Sequence, residues 1–377
     1  MTLTKPCSYV ITGATSGLGA ELVRKLVERR KDARVLLAVR NVKLAESQIK
    51  HLADEFPDAD VLNRVHVGPP LDLGDFASVI AFAEAVNTLD QPLHVLVNNA
   101  GMNKGSGPQT STRWPEIISV NYLGPFLLTL LLEDKLKCCA DSGELPSRVI
   151  NVSSIMHRFS TLADGVRDQS NESVVDMFQR AEYGQQGRDV DSVVSSSRLY
   201  SDTKLGNALF TEWLNNRWKD EKNLRAMSVD PGGVVTGIWR NSRWEGSRLM
   251  SLFFAPASDG SEALYDCCVD PLNDVPEPAN FYARGAFTSP LLRHHPQSKR
   301  LALAAGIVAA VDWPLRQFSG GRIANKTKRV PANEACYDSQ VVSRLGDATE
   351  QFVRAEMSTL RTASFKRGHS WDRVSEM

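Results

Sequence analysis

Short apolar runs alternate with longer amphipathic stretches along most of this chain, and that alternation constrains its fold more than any other feature. Strand-like runs occur at 8–12, 35–39, 65–67, 95–97, 149–152 and 226–229. Between most of them lie helix-like segments, at 19–30, 43–55, 76–85 and 114–136. Strand and helix taken in turn imply βαβ units, so the expected class is α/β: a doubly wound parallel sheet with helices on both faces. A chain of 377 residues has room for a large core of this kind and for additions to it.

Two segments fall outside the alternation. Residues 155–199 are rich in Asp, Glu, Ser, Gln and Arg and read as an insertion, whereas 291–330 hold eight Lys or Arg against the single acid Asp312. The expected organisation is therefore one domain over 1–290 that carries the site, and a C-terminal extension over 291–377 with a closing helix near 337–356. Lys+Arg and Asp+Glu both total 44, so global charge gives no reason to expect a nucleic-acid partner. The first strand begins almost at once, and no targeting segment is expected ahead of it. Six cysteines include the vicinal pairs Cys138-Cys139 and Cys267-Cys268 and no C-x-x-C spacing. They read as reduced packing thiols of a cytoplasmic protein, with no metal site.

The chemistry-bearing residues sit where the predicted strands end. Gly13, Gly17 and Gly19 follow the first strand and open a helix, as a backbone must if it is to approach a pyrophosphate at a helix N-terminus. Later strands end in Asn98-Asn-Ala-Gly101, in Ser153-Ser154 and in Pro231-Gly-Gly-Val-Val-Thr236. Tyr200 and Lys204 are four residues apart, which places them one turn apart on one helix face. A phenol titrates near ~10, and a neighbouring ammonium favours its phenolate. Lys204 is thus expected to lower the pKa of Tyr200.

With these motifs in this order, the chain resembles the short-chain dehydrogenase/reductase superfamily over roughly residues 6–290. Leu37-Ala-Val-Arg-Asn41 and Tyr200-Ser-Asp-Thr-Lys-Leu-Gly-Asn207 look most like its branch of retinol dehydrogenases, WW-domain oxidoreductases and protochlorophyllide reductases. The resemblance implies a Rossmann fold and a catalytic set of Asn121, Ser154, Tyr200 and Lys204. Ser154 would donate to the substrate oxygen, Tyr200 would move the proton, Lys204 would hold the nicotinamide ribose, and Asn121 would hold a relay water. The implied cofactor set is Gly13, Ser16, Gly17, Leu18, Gly19, Arg40, Asp72, Leu73, Asn98, Asn99, Ala100, Gly101, Tyr200, Lys204, Pro231, Gly232, Val234 and Thr236. Arg40 stands where NAD-binding folds place an acid, and a guanidinium suits a 2′-phosphate, so NADP(H) is the expected cofactor. For Asp72 the alternative is a helix cap; for His157, a packing or surface role outweighs one in the pocket.

The expected function is NADP(H)-dependent interconversion of a carbonyl and an alcohol on a small lipophilic substrate. The alternatives are reduction of a ring double bond and a non-catalytic cofactor-binding sensor or scaffold. The long interval between Ser154 and Tyr200 favours the former, but 155–199 contain no cysteine to act as proton donor. The intact Asn-Ser-Tyr-Lys set opposes the latter. An uncharged run at 301–311 is too short to span a bilayer, which needs about 20 apolar residues. Residues 301–318 read first as a packed helix or a subunit contact in a homo-oligomer. The second reading is a peripheral plug on an anionic membrane surface, because basic residues flank the run and Trp313 stands at its edge.

Overall fold

The computed structural model describes residues 6–103, 114–141, 146–168, 173–174, 176–178, 193–234, 255–269, 281–283, 328–329 and 332–366. Among them run strands β1 (Cys7–Thr12), β2 (Ala33–Ala38), β3 (Val65–Val67), β4 (Val95–Asn98), β5 (Ser147–Val152), β6 (Leu224–Asp230), β7 (Phe281–Ala283) and β8 (Lys328–Arg329). They form one sheet in the order β3-β2-β1-β4-β5-β6-β7-β8. Neighbours from β3 through β7 are parallel, and β8 adds an antiparallel edge. From β1 the chain winds outward through β2 to β3, then returns to place β4 on the other side of β1. That reversal opens a crevice at the carboxyl ends of the strands, where doubly wound sheets take their ligands.

The main helices are α1 (Gly17–Arg29), α2 (Val42–Glu55), α3 (Phe76–Thr88), α4 (Glu116–Leu131), α5 (Glu133–Asp141), α6 (Val193–Arg217), α7 (Ala257–Val269) and α8 (Ser339–Lys366). Asn41 and Asp75 start α2 and α3 by accepting from Leu44 N and Ala77 N, as short polar caps do. Successive strand residues point to opposite faces. Tyr9, Ile11, Val95 and Val97 accordingly join a core with α1, α2 and α7. Val10, Leu96 and Val149 join a second core with α3, α4, α6 and α8. The expected doubly wound architecture is the one observed, with β7 and β8 added where short strands gave no sequence signal.

The polar segment 155–199 is less of an appendage than its composition suggests. Leu162, Val166, Val174, Met177 and Phe178 are all buried, and the Phe178 ring lies 5.3 Å from that of Tyr122. From beyond residue 290, β8 joins the sheet and α8 joins the core on α6. The expected closing helix at 337–356 is α8, which starts slightly later and runs on to Lys366. The run at 301–318 lies outside the described residues. Among those described, no single helix is long and apolar enough to cross a membrane. The bent pair α4–α5 passes that test by composition, but Phe126, Leu128, Leu132 and Leu136 place its apolar face inside the core.

Polar bonds lock α8 in place. Trp213 Nε1 donates to Asp347 at 2.9 Å, Tyr122 and Thr349 share a hydroxyl bond at 2.9 Å, and Phe352 stacks edge-on to Trp114 at 5.4 Å. Beneath it, Glu133 accepts from Arg217 Nε at 2.9 Å, Trp218 Nε1 at 2.8 Å and Lys137 Nζ at 2.9 Å. Burial alone would raise the Glu133 pKa, but those bonds outweigh it and hold the carboxyl at about 2, below its ordinary 4.5. A depressed carboxylate pKa contributes stability that is present above the unfolded value and lost as pH falls through the folded one. Glu133→Gln should therefore cost about 2–3 kcal/mol at pH 7, and urea unfolding should show that gap closing between about pH 5 and pH 2. A gap that stays constant over that range would mean the charge of Glu133 contributes nothing.

Candidate active site

The glycine turn after β1 is built to let the backbone come close to something. Gly13 and Gly17 have φ of 64° and 54°, the left-handed region that side chains disfavour. A Cβ on Gly19 would lie 2.5 Å from Gly13 O and 2.6 Å from Asn99 Nδ2. Ser16 caps α1 without a side-chain capping bond, and no acid lies in the first turn, so the helix end suits an anion. Thr12, fully buried, ties this turn to the next strand. Its Oγ1 accepts from Asn99 N at 2.9 Å and Ala100 N at 3.0 Å and donates to Val97 O at 3.2 Å. Thr12 was absent from the expected set; a hydroxyl closing an otherwise apolar strand was the available signal.

Asn98 and Asn99, both expected to line the cofactor, bond with the protein itself. Asn98 Nδ2 donates to Thr129 Oγ1 at 3.0 Å and Asn151 Oδ1 at 2.9 Å, and Asn99 Nδ2 donates to Thr12 O at 2.8 Å. Ala100 and Gly101 continue the loop. Leu73 is buried, and Arg40 stands exposed beyond β2. Asp72 Oδ1 accepts from Gly74 N at 2.8 Å, but the cap of α3 is Asp75, so the helix-cap alternative for Asp72 is not what forms. Across the crevice, Gly232 has φ 83°, and its N–H donates to Asp230 Oδ1 at 3.0 Å, fixing the Pro231-Gly232 turn. A Cβ on Gly260 would lie 2.5 Å from Val234 Cγ2 and 2.9 Å from Leu18 Cδ2, so both expected cofactor loops converge there. Thr236 lies outside the described residues.

Asn121, Ser154, Tyr200 and Lys204 converge from three elements. Asn121 sits in a π-helical turn, Ser119–Leu123, inside α4; such turns are frequent at functional sites. Its Oδ1 accepts from Met102 N at 2.8 Å, and its Nδ2 donates to Met102 O at 2.8 Å and Thr203 Oγ1 at 3.2 Å. A Cβ on Gly101 would stand 3.3 Å from Asn121 Oδ1 and 3.6 Å from Lys204 Nζ, which brings the two side chains to one spot. Strand alternation separates the two serines. Ser153 Oγ donates to Lys204 O at 2.8 Å, away from the crevice, whereas the Ser154 hydroxyl stands beside the Tyr200 phenol and favours its ionised form. Lys204 Nζ donates to Val152 O, the last carbonyl of β5, at 2.8 Å.

The expectation that Lys204 lowers the Tyr200 pKa is corrected here. Burial, and after it the Asp230 carboxylate, raise the phenol above its ordinary value, and the neighbouring Ser154 hydroxyl opposes them. The ammonium lies 5.4 Å from the ring centroid and is directed to the Val152 carbonyl rather than to the hydroxyl. Burial also lowers Lys204 to about 8, against an opposing pull from Asp230. A phenol in this setting keeps its proton at neutral pH. Asp230, fully buried at the end of β6, went unnoticed in the sequence, although an acid directly before Pro231-Gly232 was visible there.

His157 takes the packing role. It is fully buried, with Nδ1 2.6 Å from Ser154 O, and its Nε2 accepts from Asn333 N at 3.0 Å.

A nucleotide-ready glycine turn, a serine–tyrosine–lysine cluster and a doubly wound sheet together define a class, and sequence comparison agrees with it. The short chain dehydrogenase profile matches residues 8–163, and the chain belongs to that family of NAD(P)-dependent oxidoreductases. Retinol dehydrogenase 12 of Mus musculus is 35% identical over 265 residues, 69% of this chain and 72% of that protein. The Homo sapiens protein of the same name is 30% identical over 81% of this chain and 86% of its own. Short-chain dehydrogenase TIC 32 B of Brassica napus is 32% identical over 63% and 67%. Two solved structures share the fold. An uncharacterized protein of Mycobacterium paratuberculosis superposes with TM-score 0.58 at 24% identity over 93% of this chain and 94% of its own. Salutaridine reductase of Papaver somniferum gives 0.53 at 18% over 73% and 98%.

Gly19→Ala tests the glycine cradle. Its methyl would force Gly13 and Asn99 apart, an overpacking cost of about 1–3 kcal/mol. Dinucleotide affinity, measured by fluorescence titration, should drop at least tenfold; wild-type affinity would mean the turn does not meet the cofactor.

Proposed function

We propose that this chain is an NADP(H)-dependent reductase and dehydrogenase that interconverts a carbonyl and an alcohol on a lipophilic, retinoid-like substrate. The observation that carries the reading is the buried ammonium of Lys204, held on Val152 O one helical turn from Tyr200, with the Ser154 hydroxyl beside the phenol. The retinol dehydrogenases at 30–35% identity support the substrate class. The residues fit a dinucleotide: the left-handed glycines and the open N-terminus of α1 would take its pyrophosphate, and Lys204 its nicotinamide ribose. Arg40, exposed beyond β2, would pair with a 2′-phosphate. When bound, the nicotinamide supplies or accepts the hydride.

The chain's own part is to bind, orient and move a proton. With substrate bound, Ser154 Oγ and the Tyr200 hydroxyl would each turn their one proton to the substrate oxygen, which gains negative charge during reduction. Tyr200, held protonated by burial and by Asp230, passes its proton to that oxygen. Lys204 and Asn121, both fixed to backbone carbonyls, keep the floor of the site in place. In the oxidative direction the Tyr200 oxygen must first lose its proton, and the phenolate then accepts the proton of the alcohol.

Purified full-length protein should consume NADPH with all-trans-retinal, and far less NADH at equal concentration. Failure with retinal and with a panel of lipophilic aldehydes and ketones would end this reading. Tyr200→Phe should lose ~10²–10⁴-fold in kcat with NADPH binding intact. A variant that keeps more than about a tenth of the rate would place the proton path elsewhere. Arg40→Asp replaces a charge-assisted partner by a repulsive one, so NADPH affinity should fall by about one to two orders of magnitude while NADH gains. Unchanged NADPH affinity would show that Arg40 does not read the phosphate.

A further inference from the structure

The C-terminal segment reaches the proton-transfer serine through one imidazole. Ser154 opens a short 3₁₀ turn, Ile155–Phe159, and its Oγ accepts from Met156 N at 3.3 Å. His157, within that turn, folds back so that Nδ1 lies 2.6 Å from the Ser154 carbonyl oxygen. Its other nitrogen, Nε2, faces the backbone N–H of Asn333 at 3.0 Å, across 176 residues of sequence. Asn333 completes the ring of contacts: Nδ2 donates to His157 O at 3.2 Å and Oδ1 accepts from Ala335 N at 2.9 Å. That last bond caps the 3₁₀ turn Glu334–Tyr337, which leads directly into α8. Both His157 and Asn333 are buried.

Chemistry leaves this ring one arrangement. A backbone N–H can only donate, so Nε2 must accept; a carbonyl can only accept, so Nδ1 must carry the proton. An imidazolium would place two N–H groups face to face at Asn333. Burial pushes the ring to about 3, partly opposed by the Ser154 carbonyl, with the Arg158 guanidinium adding to the depression. The ring is therefore a fixed neutral strut with a donor at one end and an acceptor at the other.

We propose that His157 is a positioning residue that makes the placement of Ser154, and through it of Tyr200, depend on docking of the C-terminal segment 332–366. The inference rests on the assignment of Ser154 and Tyr200 to proton transfer. Ser154 supplies both the carbonyl that His157 grips and the hydroxyl that stands beside the Tyr200 phenol, so a shift of its backbone moves the donor pair. The far end of the strut is fixed by α8, whose Trp213–Asp347 and Tyr122–Thr349 bonds anchor it to α6 and α4. Misplacing a catalytic group by about 1 Å can cost ~10²-fold in rate, so a strut of this kind has leverage on kcat without touching substrate.

The test compares three substitutions in full-length protein. His157→Phe fills the space and removes both polar ends; His157→Asn restores an N–H toward Ser154 O; Asn333→Ala removes the side-chain half of the far contact. Each is assayed for kcat and KM with NADPH and all-trans-retinal, with Tyr200→Phe as control and folded fraction measured by circular dichroism at the assay temperature. His157→Phe should lose at least about thirtyfold in kcat per folded molecule, with the KM for NADPH unchanged. His157→Asn should recover most of that loss. The double variant His157→Phe/Asn333→Ala should be no slower than His157→Phe alone, because the two act through one link. A His157→Phe variant of lowered melting temperature but wild-type kcat per folded molecule would overturn the proposal, as would additive losses in the double variant. Should Tyr200→Phe itself stay active, the proton-transfer assignment would fall first, and the two failures remain distinct.

Discussion

One buried cation organises the candidate site. Lys204 is 3% exposed, and its ammonium is held by the carbonyl that closes β5. Removing a charge from water costs several kcal/mol unless hydrogen bonds and an opposing charge offset it. Here burial lowers the lysine to about 8, and the Asp230 carboxylate limits the fall. The same bond fixes the register of α6 against β5. With Lys204 on Val152, Tyr200 one turn earlier must stand beside Ser154, and the Ser153 hydroxyl bonded to Lys204 O reinforces that register.

A ladder of amides and hydroxyls runs behind it. Asn98 on β4 donates to Asn151 on β5, Asn151 to Thr211 on α6, and Thr211 to Asn207 O, while Asn207 shares Val152 O with Lys204. In a low-dielectric interior such bonds are directional and costly to break, so they fix one packing where apolar contacts would tolerate several. This accounts for amide side chains inside strands that are otherwise Val, Leu and Ile. It also accounts for the Asn98 side-chain amide, whose Nδ2 is held between Thr129 and Asn151.

The C-terminal segment belongs to this architecture. Helix α8 covers α6, and the aromatic contacts of Phe352 with Trp114 and Phe76 draw α3 and α4 beneath it. The buried Glu133 network links α5 to α6, and Glu350 on α8 also reaches Arg217 at 3.4 Å. A segment that looks peripheral in sequence therefore seals the face of the sheet on which the proposed proton donor stands.

The sequence by itself determined the doubly wound class, the position of the glycine turn and the Tyr200–Lys204 pair. Those features are local: strand and helix periods, left-handed glycines and an i, i+4 pair are written within a few residues of one another. Only the tertiary structure decided what each polar group faces. It sent Ser154 toward Tyr200 and Ser153 toward Lys204 O, and it turned Asn98 and Asn99 onto the protein. It also buried Val174, Met177 and Phe178 of a segment whose composition is polar. The phenol was misjudged for the same reason, since a pKa depends on desolvation and on charges such as Asp230 that come from another strand. The contact between His157 and Asn333 joins residues 176 positions apart, and no local pattern encodes a hydrogen bond that exists only once the chain has closed on itself.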